Sequence, residues 1–372
     1  MSEPGWYEIM WACERWVGTR RAVTAAEVLR AAADRLDGDA RPDRFGQGDL
    51  VEGFERRIAD LLGKEAAVLM PSGTMAQQIA LRIHCDRRGV ATIAFHPTCH
   101  LQLHEHAAYA HLHGLTAELV GDRDRLIQLR DLEALGAPIG ALLIELPQRE
   151  IGGRLPEWSD LVAQTTWARQ RGAAVHLDGA RIWESTPYYE REPAEIAALF
   201  DTVYVSLYKG LMGFAGSVLA GPQELMAEAR VWRRRHGGSL SNLFPLAAAA
   251  QPGLDDLINQ MPRFLDHARA LAAALREVPG MRITPDPPQT PLFHLHLAGE
   301  RDVLWERMLS VAHTTGVWLG NRLDLSVLPG MCKLELDIGA PALEVSADEA
   351  AKLFGVVLEG SEPGPAERSR AR

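Results

Sequence analysis

The chain has 372 residues, 47% of them apolar and 24% charged, with 49 acidic side chains against 39 basic ones and a formal net charge of −10. That length and apolar content suit a globular protein with a large core, built as two domains or as one large domain plus a smaller one. The acidic balance excludes general nucleic-acid binding, which needs a basic footprint, and favours a small-molecule substrate or a protein partner.

Residues 22–36 place apolar side chains at helical spacing, and Asp49–Leu62 repeats the pattern with Gly63 as its stop. A short apolar run, Ala66–Met70, predicts a strand closed by Pro71, and Gly73 opens the next helix. Strands are predicted at Ala91–Phe95, Leu115–Val120 and Gly140–Leu146, then a helix at Trp158–Arg171. Three more strands follow at Ala173–Asp178, Thr202–Leu207 and Ser217–Ala220. Strands alternating with helices imply a mostly parallel sheet covered on both faces. Ligands in such folds bind beyond the carboxyl ends of the strands.

After residue 250 the rhythm changes. One long helix is predicted at Leu254–Val278, then a Pro-rich turn, a strand at Leu292–Leu297, a helix at Asp302–His313, a strand near Lys333–Ile338 and a helix at Ala347–Leu358. The expected organisation is an N-terminal segment 1–43, a large domain 44–250, a smaller C-terminal α+β domain 251–360 and a disordered tail 361–372.

The cysteines Cys13, Cys85, Cys99 and Cys332 are scattered and form no CxxC. This argues against a disulfide framework or a cysteine zinc site and predicts a reducing, cytoplasmic setting. The N-terminus lacks the basic start and clean apolar core of a signal peptide. No apolar run reaches the length of a membrane span, so no membrane partner is expected.

Four local features carry chemistry. In "PSGTM" (71–75), Ser72, Gly73 and Thr74 stand at a strand-to-helix junction. Amides at a helix N-terminus and two hydroxyls make an anion site, although Ser and Thr are also ordinary N-caps. In "HLDGAR" (176–181), Asp178 ends a buried strand, a costly position unless it meets a cation; it could equally cap the next helix or pair with Arg181. In "SLYKG" (206–210), Lys209 follows a strand, where its amine could form a Schiff base or simply be solvated. In "HPTCHLQLHEH" (96–106), His100 and His104 lie one helical turn apart. The absence of HExxH fails the zinc-protease pattern, so no metal is expected; a ring stack or a polar helix face remain. Taken in order, an anion cradle, a histidine, a strand-end aspartate and a strand-end lysine describe a pyridoxal phosphate (PLP) site.

At this point the sequence resembles the threonine aldolase and β-eliminating lyase family of fold-type I PLP enzymes. The stretches that carry the resemblance are 44–81, "HLQLHE" (100–105), "IGGRLP" (151–156), "VHLDGARIWES" (175–185), "YVSLYKGLMGFAGSVLAG" (204–221) and "ARVWRRRHGG" (229–238). The resemblance implies that Lys209 carries PLP, Asp178 holds the pyridinium, and His100 stacks on the ring. It implies that Ser72, Gly73 and Thr74, helped by Ser206, bind the phosphate, and that Arg181 grips the substrate carboxylate. It further implies a homodimer or homotetramer with shared sites, which an arginine of "RRRHGG" would serve.

The departures bear on the substrate. A second histidine is expected in a stretch like ENTH, and "ELPQREIGG" (145–153) puts Gln148 or Arg149 near that place. A C-terminal arginine for the carboxylate is expected, and "MCKLELDIG" (331–339) offers only Lys333, which lacks the bidentate fork. The expected activity is cleavage of a threonine-like β-hydroxy-α-amino acid to glycine and an aldehyde, with His100 as the base. The alternatives are β-elimination from a β-substituted amino acid, and a PLP-fold binding protein without turnover.

Overall fold

The computed structural model describes residues 5–360; the expected tail at 361–372 lies outside the described residues. They form two compact units. One is Thr24–Gln260, and the other joins the N-terminal residues up to Val23 to those from Met261 onward. The division therefore falls ten residues beyond the expected boundary at 250, and residues 24–43 group with the larger unit.

After a two-residue strand β1 (Arg15–Trp16), which belongs to the smaller unit, the larger unit supplies seven strands. They are β2 (Ala66–Met70), β3 (Thr92–Phe95), β4 (Thr116–Leu119), β5 (Ala141–Glu145), β6 (Ala174–Asp178), β7 (Thr202–Ser206) and β8 (Ser217–Gly221). They form one sheet in the order β2-β8-β7-β6-β5-β3-β4. Only β8 runs against its neighbours, so the other six strands end on a common edge.

The strand sequences explain this burial. AAVLM, ALLIE and SVLAG are near-continuous apolar runs, as expected of strands covered on both faces. The helix Gly73–Arg88 lays Ala76, Ile79, Ala80 and Ile83 against Val68, Met70 and Leu219 of the sheet. Each fully buried isoleucine there contributes about 1.5–3 kcal/mol. Gly89, at φ +71°, ends that helix in the left-handed conformation a C-terminal glycine takes without strain.

The smaller unit is built differently. Strands β9 (Met281–Thr284), β10 (Leu292–Ala298), β12 (Leu323–Leu325) and β13 (Met331–Asp337) form an antiparallel sheet in the order β12-β13-β10-β9. β13 alternates strictly: Cys332, Leu334 and Leu336 are buried, while Lys333, Glu335 and Asp337 are half-exposed. A further strand, β11 (Val317–Trp318), pairs in parallel with β1. Around that pair Ile9, Cys13, Trp16, Ala312 and Trp318 form a local core.

One expected element breaks. The single helix predicted over 254–278 is a π turn at Gly253–Leu257, a 3₁₀ turn at Ile258–Gln260 and a helix at Met261–Arg276. Gly253 lies against the Leu211 backbone, where a Cβ would stand 2.1 Å from the carbonyl oxygen. That close approach, with Pro252 just before it and Pro262 just after, fixes the break, because proline offers no N–H to a continuing ladder.

Candidate active site

The carboxyl edge of the large sheet gathers the residues singled out in the sequence. Lys209 stands three residues past β7, and its amine forms no hydrogen bond or ion pair with a described residue. Burial pushes its pKa down, and the Arg181 guanidinium pushes it further; Asp178 and Glu145 act the other way. Such an amine loses its proton readily and is then a nucleophile.

Asp178 closes β6 and is buried. Its Oδ2 accepts from Gln77 Nε2 at 2.6 Å, and its Oδ1 from the Ala180 amide at 3.1 Å. The local capping bond is therefore real, but the second bond reaches 101 residues back, to the helix Gly73–Arg88. A buried carboxylate held by neutral donors keeps its charge available for a cation.

At the start of that helix Ser72 acts as the N-cap, its Oγ accepting from the Met75 amide at 3.2 Å. The amides of Gly73 and Thr74 have no intrahelical acceptor. Gly73 is required by close approach: a Cβ there would lie 2.2 Å from the Tyr204 hydroxyl. Burial and the nearby Asp178 charge push the Tyr204 phenol well up, so it stays a neutral hydroxyl. Ser206, two residues on along β7 and so on the same face, is fully buried.

His100 opens the one-turn helix His100–Leu103 that follows β3. Its Nδ1 lies 3.0 Å from Glu105 Oε1, and Gln78 Nε2 donates to the other Glu105 oxygen at 3.1 Å. A carboxylate only accepts, so the Nδ1–H donates, which leaves Nε2 as the ring nitrogen turned to other partners. The His104 ring is 5.1 Å from that of His100, but its Nε2 faces Glu150 Oε1 at 2.9 Å. Arg181, nearly buried, places Nε 3.5 Å from Glu184 Oε2.

Three residues without an assigned role join the site. Glu145 ends β5 in register with Asp178 on β6, so the two carboxyl groups emerge on the same side of the sheet. Glu145 accepts from the His100 amide at 3.2 Å, the Arg149 amide at 3.2 Å and Gln148 Nε2 at 3.3 Å. Burial, and next the Asp178 charge, push its pKa up to about 7. Gln77 and Glu105 are the others. The signal for Gln77 was available: "AQQIA" sets two glutamines into an otherwise apolar helical face.

"RRRHGG" divides. Arg233 is buried and donates to the Leu69 carbonyl at 2.8 Å and the Phe45 carbonyl at 3.2 Å, so it serves its own chain; Arg234 and Arg235 are exposed. Together, an amine without a partner, a helix N-terminus with open amides and a strand-end carboxylate fit PLP: its aldehyde, its phosphate and its ring nitrogen.

A mostly parallel sheet with this edge defines a fold-type I PLP-dependent lyase. The family model described as β-eliminating lyase matches residues 21–298, and the chain belongs to that family. A solved structure proposed as an aromatic amino acid β-eliminating lyase/threonine aldolase from Exiguobacterium sp. 255-15 is 37% identical. It superimposes with a TM-score of 0.89 over 95% of this chain and 99% of that one. One proposed as an L-allo-threonine aldolase from Listeria monocytogenes EGD-E is 36% identical, with a TM-score of 0.89 over 96% of this chain and 99% of that one. The low specificity L-threonine aldolase of Escherichia coli (strain K12) is 30% identical over 241 residues, 63% of this chain and 72% of that protein.

Proposed function

We propose that this chain is a PLP-dependent aldolase that cleaves a threonine-like β-hydroxy-α-amino acid to glycine and an aldehyde. The observation that carries the reading is Lys209: a half-buried amine with depressed basicity and no ion-pair partner, in the field of Asp178, Glu145 and Arg181. When bound, PLP supplies an electron sink for the charge left at the substrate α-carbon.

The side chains divide the remaining work. Lys209 would hold the cofactor through Nζ. Asp178, fixed by Gln77 and the Ala180 amide, holds the positive ring nitrogen. The amides of Gly73 and Thr74, with Ser72 and Ser206 nearby, hold the phosphate. Arg181 binds the α-carboxylate and so sets which bond at the α-carbon is aligned for cleavage. His100 would stack on the cofactor ring, and its Nε2 would take the β-hydroxyl proton, directly or through a water. As the Cα–Cβ bond breaks, the β-carbon leaves as an aldehyde and its electron pair stays at the α-carbon, which then takes a proton to become glycine.

Membership of the β-eliminating lyase family supports a second reading, β-elimination, in which the same residues act on a substrate with a leaving group at Cβ. A panel of β-hydroxy and β-substituted amino acids, assayed separately for aldehyde and ammonia, decides. Aldehyde with glycine is expected; ammonia with a keto acid and no aldehyde would replace the aldolase reading with the eliminating one. In the same reading the working form is a homodimer or homotetramer in the cytoplasm, a compartment that suits four free, buried cysteines.

A further inference from the structure

Glu145 is a residue the aldolase reading leaves without a task, yet its carboxyl group receives three hydrogen bonds at the site. It receives the amides that open two turns: His100 begins the turn carrying the imidazole, and Arg149 begins the 3₁₀ turn after β5. It also receives Gln148 Nε2, from the stretch where a histidine was expected. Adjacent strands in register hold it beside Asp178. Two neighbouring carboxyl groups in a partly desolvated place do not both ionise easily, so the pair tends to retain a proton.

The hydrogen bonds say which member retains it. Asp178 accepts a short 2.6 Å bond from Gln77 on one oxygen and the Ala180 amide on the other, both of which favour its anion. The three bonds to Glu145 also favour an anion, but at 3.2–3.3 Å they are longer and weaker than the bond from Gln77 to Asp178, and burial outweighs them. The other groups facing Glu145 leave it that role. The Cys99 thiol is pushed far up by burial and stays neutral, and the Lys209 amine is pushed down. The His100 Nδ1 is engaged by Glu105, and Arg149 directs Nη1 to Glu150 at 2.9 Å. The direction of the Glu145 pKa agrees.

Resting on the reading that Asp178 meets the ring nitrogen, we infer that Glu145 is a proton-carrying positioning residue. It holds a proton in the cofactor-free protein and releases it when positive charge settles on Asp178, and the resulting carboxylate fixes the His100 and Arg149 turns. The physical link is charge. A cation beside Asp178 cancels the repulsion that adds to burial in holding the proton on Glu145, and an ionised Glu145 then binds both amides through charge-assisted bonds about twice as strong as neutral ones. By reciprocity, cofactor affinity rises with pH up to the Glu145 titration.

The test is the proton balance of PLP binding, measured by calorimetry in two buffers of different ionisation enthalpy. At about pH 6 wild type should release more protons than Glu145→Gln, the difference approaching about one proton; at about pH 8, where Glu145 is already ionised, the difference should vanish. In wild type alone, infrared difference spectra at the lower pH should show a protonated carboxyl band lost on adding PLP, which keeps the test open if the variant does not fold. Equal proton counts at the lower pH, or the absence of that band change, overturns the Glu145 inference and leaves the aldolase reading standing. Failure of PLP to bind wild type overturns both.

Discussion

Two polar clusters, one on each sheet, separate a working site from a structural one. On β10 of the smaller unit, His296 is buried and both ring nitrogens have partners: Ser326 Oγ at 2.7 Å and Thr284 Oγ1 at 3.1 Å. Burial, with His294 and Lys333 nearby, pushes its pKa down to about 4, so it is a neutral, satisfied core histidine. At the carboxyl edge of the large sheet the balance differs. Among the described residues the Lys209 amine has no hydrogen-bond or ion-pair partner, Glu145 and Asp178 stand side by side, and open amides begin the helix at Gly73. Native proteins tolerate such incomplete pairing where a ligand completes it. The lesson is that burial of polar groups does not mark function; the imbalance among them does.

The comparison breaks if the edge is inert or the small-sheet histidine is catalytic. The largest effect is expected at Lys209. Lys209→Ala should abolish both turnover and the borohydride-reducible cofactor adduct; a stable adduct mapped to another lysine would remove Lys209 from its role.

Asp178→Asn should leave the circular dichroism of the fold intact and lower kcat by about 10²–10³-fold, because the positive ring nitrogen loses its preorganised counter-charge. Near-normal turnover would make Asp178 a cap and no more.

His100→Phe sharpens the comparison by dividing one residue's two jobs. It keeps a flat ring and removes the nitrogens, so cofactor binding should survive while aldol cleavage falls by about a hundredfold. Unchanged cleavage would place the base elsewhere.

The smallest effect on activity belongs to His296→Gln, which should leave kcat/KM within about twofold while costing about 1–3 kcal/mol of stability from the disrupted Ser326 and Thr284 bonds. The wild-type histidine also carries a pH signature. Its folded pKa, about 4, lies below the ordinary 6.5, so the unfolded state binds the extra proton between these values. Stability is therefore full above about 6.5 and is lost as pH falls towards 4. His84, pushed to about 4, and His176, pushed to about 3, add the same sign in the larger unit. Denaturant titrations at stepped pH read the slope, and His296→Gln should flatten it.

Much of the large unit was legible. The strand at Ala66–Met70 and the helix opening at Gly73 were read to the residue, because an apolar run, a proline and an N-cap serine act through neighbours in the chain. Other strand bounds were off by a residue or two at an end, where fraying and pairing decide. The smaller unit was less readable. β1 and β11 are two residues each and exist only because Arg15 meets Val317 and Trp16 meets Trp318, about three hundred positions away. The predicted helix over 254–278 failed for a comparable reason: periodicity could not reveal that Gly253 packs on the Leu211 backbone.

By itself the sequence determined the alternation of strands and helices, the family and its cofactor, and the order in which anion cradle, histidine, aspartate and lysine arrive. The alternation and the order are properties of spacing and local capping, which covalent connectivity carries directly; the family rests on the resemblance of whole motifs. The tertiary structure alone decided which charges meet. Sheet register set Glu145 beside Asp178; packing of one helix brought Gln77 to Asp178 across 101 residues; the fold committed Arg233 to its own backbone carbonyls and left the Lys209 amine without a hydrogen-bond partner among the described residues. Electrostatic coupling depends on distance and desolvation, and neither is a function of separation along the chain.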